Sequence, residues 1–267
     1  AKNWGFRASI RTNRLRLAGR YDERSGIWGE VKPVYLALQH GKCAYCERQV
    51  AGVHECDVEH FRPKGAVERW PPAGGPAYPF ATGAGWADGY YLLAYDICNY
   101  LVACKTCNTR WKGTYFPIAG RRGPQVDDCR ALGHERPYLI YPLGELDADP
   151  EALITFVGPL PVPRARSGRA ANRARVTIDL LGLGVREELV RERSRLIHAL
   201  WIALTSLAGT PPPLLRAEAE RAVRFLTTPV SPHCSCCRAY VALFRADRAA
   251  ADAIAVAAGR YLASLGA

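Results

Sequence analysis

Apolar and polar positions alternate, lapse and then turn helical along the 267-residue chain, and the changes divide it into segments. Residues 1–26 hold no sustained period and predict a turn-rich leader. Trp28–Gln39 predicts a short helix anchored by Val34, Leu36 and Leu38. Asp57–Phe61 has the alternation of a strand. Arg62-Pro63 ends it, because proline has no amide hydrogen to give to a ladder. Residues 66–90 are crowded with Gly, Pro and aromatic side chains, which predicts a long surface insertion. Tyr90–Tyr95 predicts a returning strand, and Asn108–Lys112 a helix.

Gly120–Pro163 carries scattered prolines and glycines and predicts a connector. From about Arg169 the period is helical: Leu189, Leu196, Leu200, Leu204 and Leu207 recur at three-, four- and seven-residue spacings. Gly209–Pro213 stops that helix. Leu214–Leu226, Arg238–Asp247 and the alanine-rich Asp252–Leu265 predict three more. The expected fold class is α+β, a small mixed core followed by a mainly α-helical C-terminal domain. Its expected parts are a leader (1–26), a core (27–120), a connecting segment (121–168) and the helical domain (169–267).

Charge adds a partner to this picture. Lys and Arg number 36 against 25 Asp and Glu, a net +11, and the surplus is clustered. Lys2, Arg7, Arg11, Arg14, Arg16 and Arg20 precede the first acidic residue, Asp22. Arg164, Arg166, Arg169, Arg173 and Arg175 fill a stretch without carboxylates. Such clusters favour a polyanion, because neutralised phosphates release their counterions. The alternative is a solvated basic surface. No apolar run reaches the eighteen or so residues that a membrane span needs. The basic N-terminus lacks the apolar stretch of a secretory signal. The expectation is a cytoplasmic protein with no membrane partner.

Ten cysteines without a secretory signal point to metal rather than to disulfides. Cys43-Ala-Tyr-Cys46 and Cys104-Lys-Thr-Cys107 are two C-x2-C pairs, and two such turns complete a tetrahedral thiolate site for structural zinc. A further group, His233, Cys234, Cys236 and Cys237, is metal-like in composition but crowded. His54, Cys56 and Cys129 are the residues that could complete it.

Between the two pairs stands Asp57-Val-Glu59-His60-Phe-Arg62-Pro-Lys64. A carboxylate can hold a divalent cation against a phosphate, and a neighbouring imidazole can take a proton from the attacking water. Adjacent side chains on a strand face opposite ways, so Glu59 and His60 serve one centre only if the chain twists there. Asn99 can bridge the strands through side-chain hydrogen bonds and hold the His60 loop. Asn108, fixed by the second cysteine turn, can offer its amide oxygen to the same cation. A set of Glu59, Asn108, phosphate and water is hard and oxygen-rich, which suits magnesium or manganese. Arg62, Lys64, Arg110 and Lys112 are expected phosphate contacts.

These residues resemble the HNH nucleases, with the motif drawn as His60, Asn99 and Asn108. The resemblance covers roughly residues 40–117 and implies a ββα-metal core braced by a four-cysteine zinc knuckle. Glu59 stands where that family more often has aspartate. A longer series, KCAYCE, VEHFRPK, NYLVACKTCNTRWKGTYFP, LIYPLGELDADPE and TIDLLGL, is similar to the small HNH proteins encoded beside an ATPase in Septu-type and retron-linked bacterial anti-phage systems. It covers about residues 40–200 and implies an effector nuclease with an ATPase partner. The chain has no G-x4-G-K-[ST] phosphate loop of its own, so ATP dependence would come from another subunit. The expected activity is a metal-dependent endonuclease on nucleic acid, DNA ahead of RNA. The alternatives are an RNase on the same core, for instance one cutting tRNA, and a catalytically silent zinc module that binds nucleic acid or a partner protein.

Overall fold

A computed structural model describes residues 3–50 and 52–265. Lys2 of the expected leader and the last two residues of the helical domain lie outside the described residues. The architecture is α+β, about half helical, with two small two-stranded sheets.

The segment expected to be a turn-rich leader is a helix, α1 (Trp4–Ala18). It stops at Gly19, whose left-handed φ of 66° lets its amide return to the Leu15 carbonyl. Trp4, Ala8 and Leu15 recur at four- and seven-residue spacings and are buried; the arginines between them mask this narrow stripe. In α2 (Lys32–Leu38) the buried anchor is Tyr35, while Val34 and Leu38 are exposed. Residues two apart cannot share one face of a helix.

The central element is an antiparallel hairpin, β1 (Cys56–His60) against β2 (Tyr100–Cys104), with Cys56 opposite Cys104 and His60 opposite Tyr100. The expected strand at Tyr90–Tyr95 is instead a run of 3-10 turns over Tyr91–Tyr95 that buries four consecutive side chains, Leu92 to Tyr95. A fully buried run has no alternation to tell strand from helix.

The hairpin divides the core. Leu101 and Ala103 look into one cluster, with Phe61, Phe116, Leu139 and Leu180. Cys56, Val58, Tyr100 and Val102 look into the other, which α1 and α2 complete with Trp4, Leu15 and Tyr35. Beyond β2 the chain forms a π-helical segment, Thr106–Lys112.

Residues 66–90 are less of a free insertion than their composition suggests. Val67 and Trp86 exchange backbone hydrogen bonds of 2.7 and 2.8 Å. Trp70 and Tyr90 are buried, and the Tyr78 hydroxyl donates to Asp179 at 2.8 Å. The connector is also structured. It buries Leu132, Glu135 and Tyr138–Tyr141 in the core, then forms α3 (Pro150–Leu153) and a hairpin of β3 (Ile154–Val157) and β4 (Leu160–Pro163).

The helical part comprises α4 (Gly168–Leu180), α5 (Glu187–Ala208), α6 (Pro213–Thr227), α7 (Cys234–Ala246) and α8 (Arg248–Ser264). Ile197, Leu200 and Leu204 of α5 pack on Tyr240 and Val241 of α7 and on Ala251, Ala255 and Ala258 of α8. The alanines let α8 lie close. Among the described residues no helix is long and apolar enough to cross a membrane.

Candidate active centre and metal site

The two cysteine turns meet beside the end of the hairpin. The sulfurs of Cys43, Cys46, Cys104 and Cys107 lie within 4.8 Å of one another, and those of Cys46 and Cys104 are 3.9 Å apart. A tetrahedral zinc with bonds of about 2.3 Å holds its sulfurs about 3.8 Å apart, so this set could hold such an ion. Hydrogen bonds from the Cys107, Cys43 and Cys46 thiols pull the Cys104 thiol far below its ordinary value, while Cys46 and Cys107 are pushed above theirs. Arg186 donates to the Cys107 sulfur at 3.0 Å, an outer cation beside the cluster. Nothing in the sequence around Arg186 marks it for this place.

The second cysteine group does not form a ligand set. His233 contacts Glu192 through Nε2 at 3.0 Å, Cys236 and Cys237 pack in the helical core, and the Cys234 sulfur accepts from Lys42 and Arg238. Neither His54 nor Cys56 joins them. Cys129 lies instead with Asp96 and Asp128. There one Asp96 oxygen accepts from the Cys98 amide and the other from the Cys129 amide.

Glu59 and His60 leave β1 on opposite faces, because the ladder continues through the His60–Tyr100 pair and no kink separates them. His60 is buried against Trp28 and Tyr100, with ring centroids 4.9 and 5.1 Å away, both edge-on. Its Nε2 lies 3.1 Å from the Ala94 carbonyl. A carbonyl only accepts, so Nε2 carries the hydrogen and Nδ1 keeps the lone pair. Burial, then the nearby Lys64 charge, pushes the His60 pKa well below its usual value, so the ring is a neutral base at pH 7.

Glu59 is buried on the other face, its carboxylate 2.5 Å from the Lys112 ammonium. Burial raises the Glu59 pKa and lowers that of Lys112, each opposed by the partner's charge. Lys112 also donates to the His60 carbonyl at 2.8 Å, so one lysine fixes both residues of the pair. Asn108 reaches Asp57 rather than Glu59, with Nδ2 3.5 Å from Oδ2, and Lys105 pairs with the same carboxylate at 3.2 Å. Asp57 was not among the expected ligands, although its two-residue spacing from Glu59 puts both on one face.

Asn99 is fully buried and clamps the residue two beyond His60. Its Oδ1 accepts from the Arg62 amide at 2.7 Å, and its Nδ2 donates to the Arg62 carbonyl at 3.0 Å and to that of Leu93 at 3.3 Å. The expected phosphate contacts divide. Arg62 is buried in an ion pair with Glu135 (3.0 Å) and Lys112 in the pair described above, so neither faces solvent. Hydrophobic neighbours sealed both cations in, which charge alone does not foretell. Lys64 is half-buried over the Trp28 ring (4.8 Å), and Arg110 is exposed.

The sequence is 32% identical to the Septu protein PtuB of Bacillus mycoides over 126 residues. The match takes in 47% of this chain and spans 38% of that protein's length. No family model matches the chain, and no solved structure does.

Proposed function

We propose that the chain is a metal-dependent HNH-type endonuclease that hydrolyses phosphodiester bonds in DNA. In this reading it is the effector of a bacterial anti-phage complex and works beside an ATPase subunit. Its similarity to a Septu protein supports the defence role. The observation that carries the chemistry is the anchoring of His60. The ring is neutral, its tautomer is set by the Ala94 carbonyl, and the following loop is clamped by Asn99.

In this mechanism Nδ1 of His60 takes a proton from the attacking water. Trp28 and Tyr100 hold the ring and keep bulk water from its edges. Lys64 and Arg110 hold phosphate oxygens on the strand. Asp57, Glu59 and Asn108 share the side of the hairpin away from the His60 ring, so a magnesium or manganese ion acting beside His60 would not take its ligands from Glu59, which is paired with Lys112. Such a cation, when bound, supplies positive charge to the scissile phosphate. Lys112 is a positioning residue that aligns Glu59 with the His60 backbone. The four cysteines hold structural zinc.

A second reading is a silent zinc module that binds nucleic acid or a partner. Lysines on both carboxylates, and the burial of His60, favour it. The test incubates the chain, with its partner complex, with labelled single- and double-stranded DNA and RNA in magnesium or manganese. Cleavage of DNA supports the proposal. Cleavage of RNA alone, tRNA included, moves the substrate, and no cleavage under any metal leaves the silent module.

A further inference from the structure

Behind the loop that Asn99 clamps lies a cavity of about 250 Å³ lined by Arg62, Arg130, Arg136, Arg169 and Arg173 against one carboxylate, Asp147. Three of the five arginines already have partners. Arg62 pairs with Glu135, Arg130 with Asp128, and Arg173 with Asp147. Among the described residues Arg136 and Arg169 have no carboxylate partner. Arg169 makes only long contacts, 3.4 and 3.3 Å, to the Arg136 and Pro137 carbonyls. Arg173 is 92% buried by its 8% exposure, and its Nε hydrogen has no acceptor. Burial, then the charges of Arg173 and Arg136, lowers the Arg169 pKa, as expected of cations crowded without enough counter-charge.

We propose that this cavity is an oxyanion site that takes a phosphoryl group of a nucleic-acid strand, outside the cleavage centre. Guanidinium forks match phosphate oxygens in pairs, and a walled cavity strengthens each contact relative to open surface. The cavity carries more positive charge than its own carboxylates offset, and a phosphate removes that imbalance. Phe61 and Tyr141 form its apolar wall, so it is built around the same loop that carries His60. A strand seated here would be held on one side of the scissile bond, which sets where along the strand the cut falls. The inference deepens the nucleic-acid reading above and rests on it for the source of the phosphoryl group.

The test is a binding measurement on the full chain in its partner complex, without added magnesium or manganese, so that cleavage plays no part. Arg136→Gln with Arg169→Gln removes the two cations that have no ion pair, and thermal unfolding checks that the fold survives. Arg216→Gln with Arg260→Gln, exposed on α6 and α8, removes the same charge elsewhere. Fluorescence anisotropy with a labelled oligonucleotide should give a loss on the order of tenfold for the cavity variant, with a salt slope lower by about one. The control pair should change neither. Equal losses in both variants, or no loss in the cavity variant, would overturn the site while leaving the nuclease reading intact. No strand binding by the parent chain would overturn both. Competition identifies the source of the phosphoryl group. Displacement of the strand by a mononucleoside monophosphate or inorganic phosphate in the parent, but not in the cavity variant, assigns a free or terminal group. Displacement only by a second strand assigns internal phosphates.

Discussion

At the scale of single residues, Lys112 donates to the His60 carbonyl and pairs with Glu59, so one buried cation holds two neighbouring residues of β1. Glu59 and His60 are adjacent, and alternation along β1 sends them to opposite faces, one to Lys112 and the other to Trp28. Asn99 bonds to the Arg62 and Leu93 backbone, whereas Asn108 reaches Asp57. Asn99→Ala should leave the Arg62 amide and carbonyl buried without partners, costing about 1–3 kcal/mol in urea unfolding. Cleavage should fall with it and should not recover in excess magnesium, because the loss is one of position. Recovery by metal would make Asn99 a ligand rather than a clamp. Glu135→Ala strands Arg62 in an apolar site and also removes the acceptor for the Tyr90 hydroxyl and the Gly123 amide. Breaking a buried pair of this kind costs about 3–5 kcal/mol. A loss under 1 kcal/mol would mean that water reaches Arg62 in solution.

At the scale of elements, the cysteine spacing was the most legible signal, because two C-x2-C turns admit few arrangements. The two turns bring their four sulfurs together as a set that could hold a metal ion such as zinc. The strands were half legible. Asp57–Phe61 shows alternation with one polar face, whereas Leu92–Tyr95 is buried all round and has no period to read. Helix α1 was hidden because its buried stripe is only a few residues wide. The hairpin and the π-helical segment are tied together through Cys104 and Cys107, so their order should depend on metal. Metal analysis after dialysis should return about one zinc per chain. A strong chelator should unfold the hairpin region before the helices of the C-terminal part. A chain that keeps its near-ultraviolet circular dichroism and melting temperature after zinc is stripped would contradict this.

At the scale of the whole molecule, the helical part shares an apolar cluster with the cysteine-bearing part through Leu180 and Leu189, and charged groups add to that joint. The His233 amide donates to the Glu47 carbonyl, its ring contacts Glu192, and Glu192 holds Arg48 at 2.8 Å. Nothing in a sequence places residues 47, 192 and 233 together. Burial lowers the pKa of His233 and of His60 below the ordinary 6.5. Both therefore stay neutral in the folded chain, while the unfolded chain takes up protons below about pH 6.5. Stability should hold above that pH and decline as the pH falls, by up to about 1.4 kcal/mol per unit for each ring. Urea unfolding at stepped pH values, with zinc content followed in parallel, should give a shallower decline for His233→Gln than for the parent. Identical slopes would show that His233 is protonated in the folded state.

The most direct measure of the central claim is single-turnover cleavage of DNA by the His60→Ala variant in its partner complex, compared with the parent at matched zinc content and matched strand binding. Loss of a general base predicts a fall in rate on the order of a hundred- to ten-thousand-fold, with binding and zinc retained. Equal rates in the two proteins would place the chemistry elsewhere and contradict the assignment of His60.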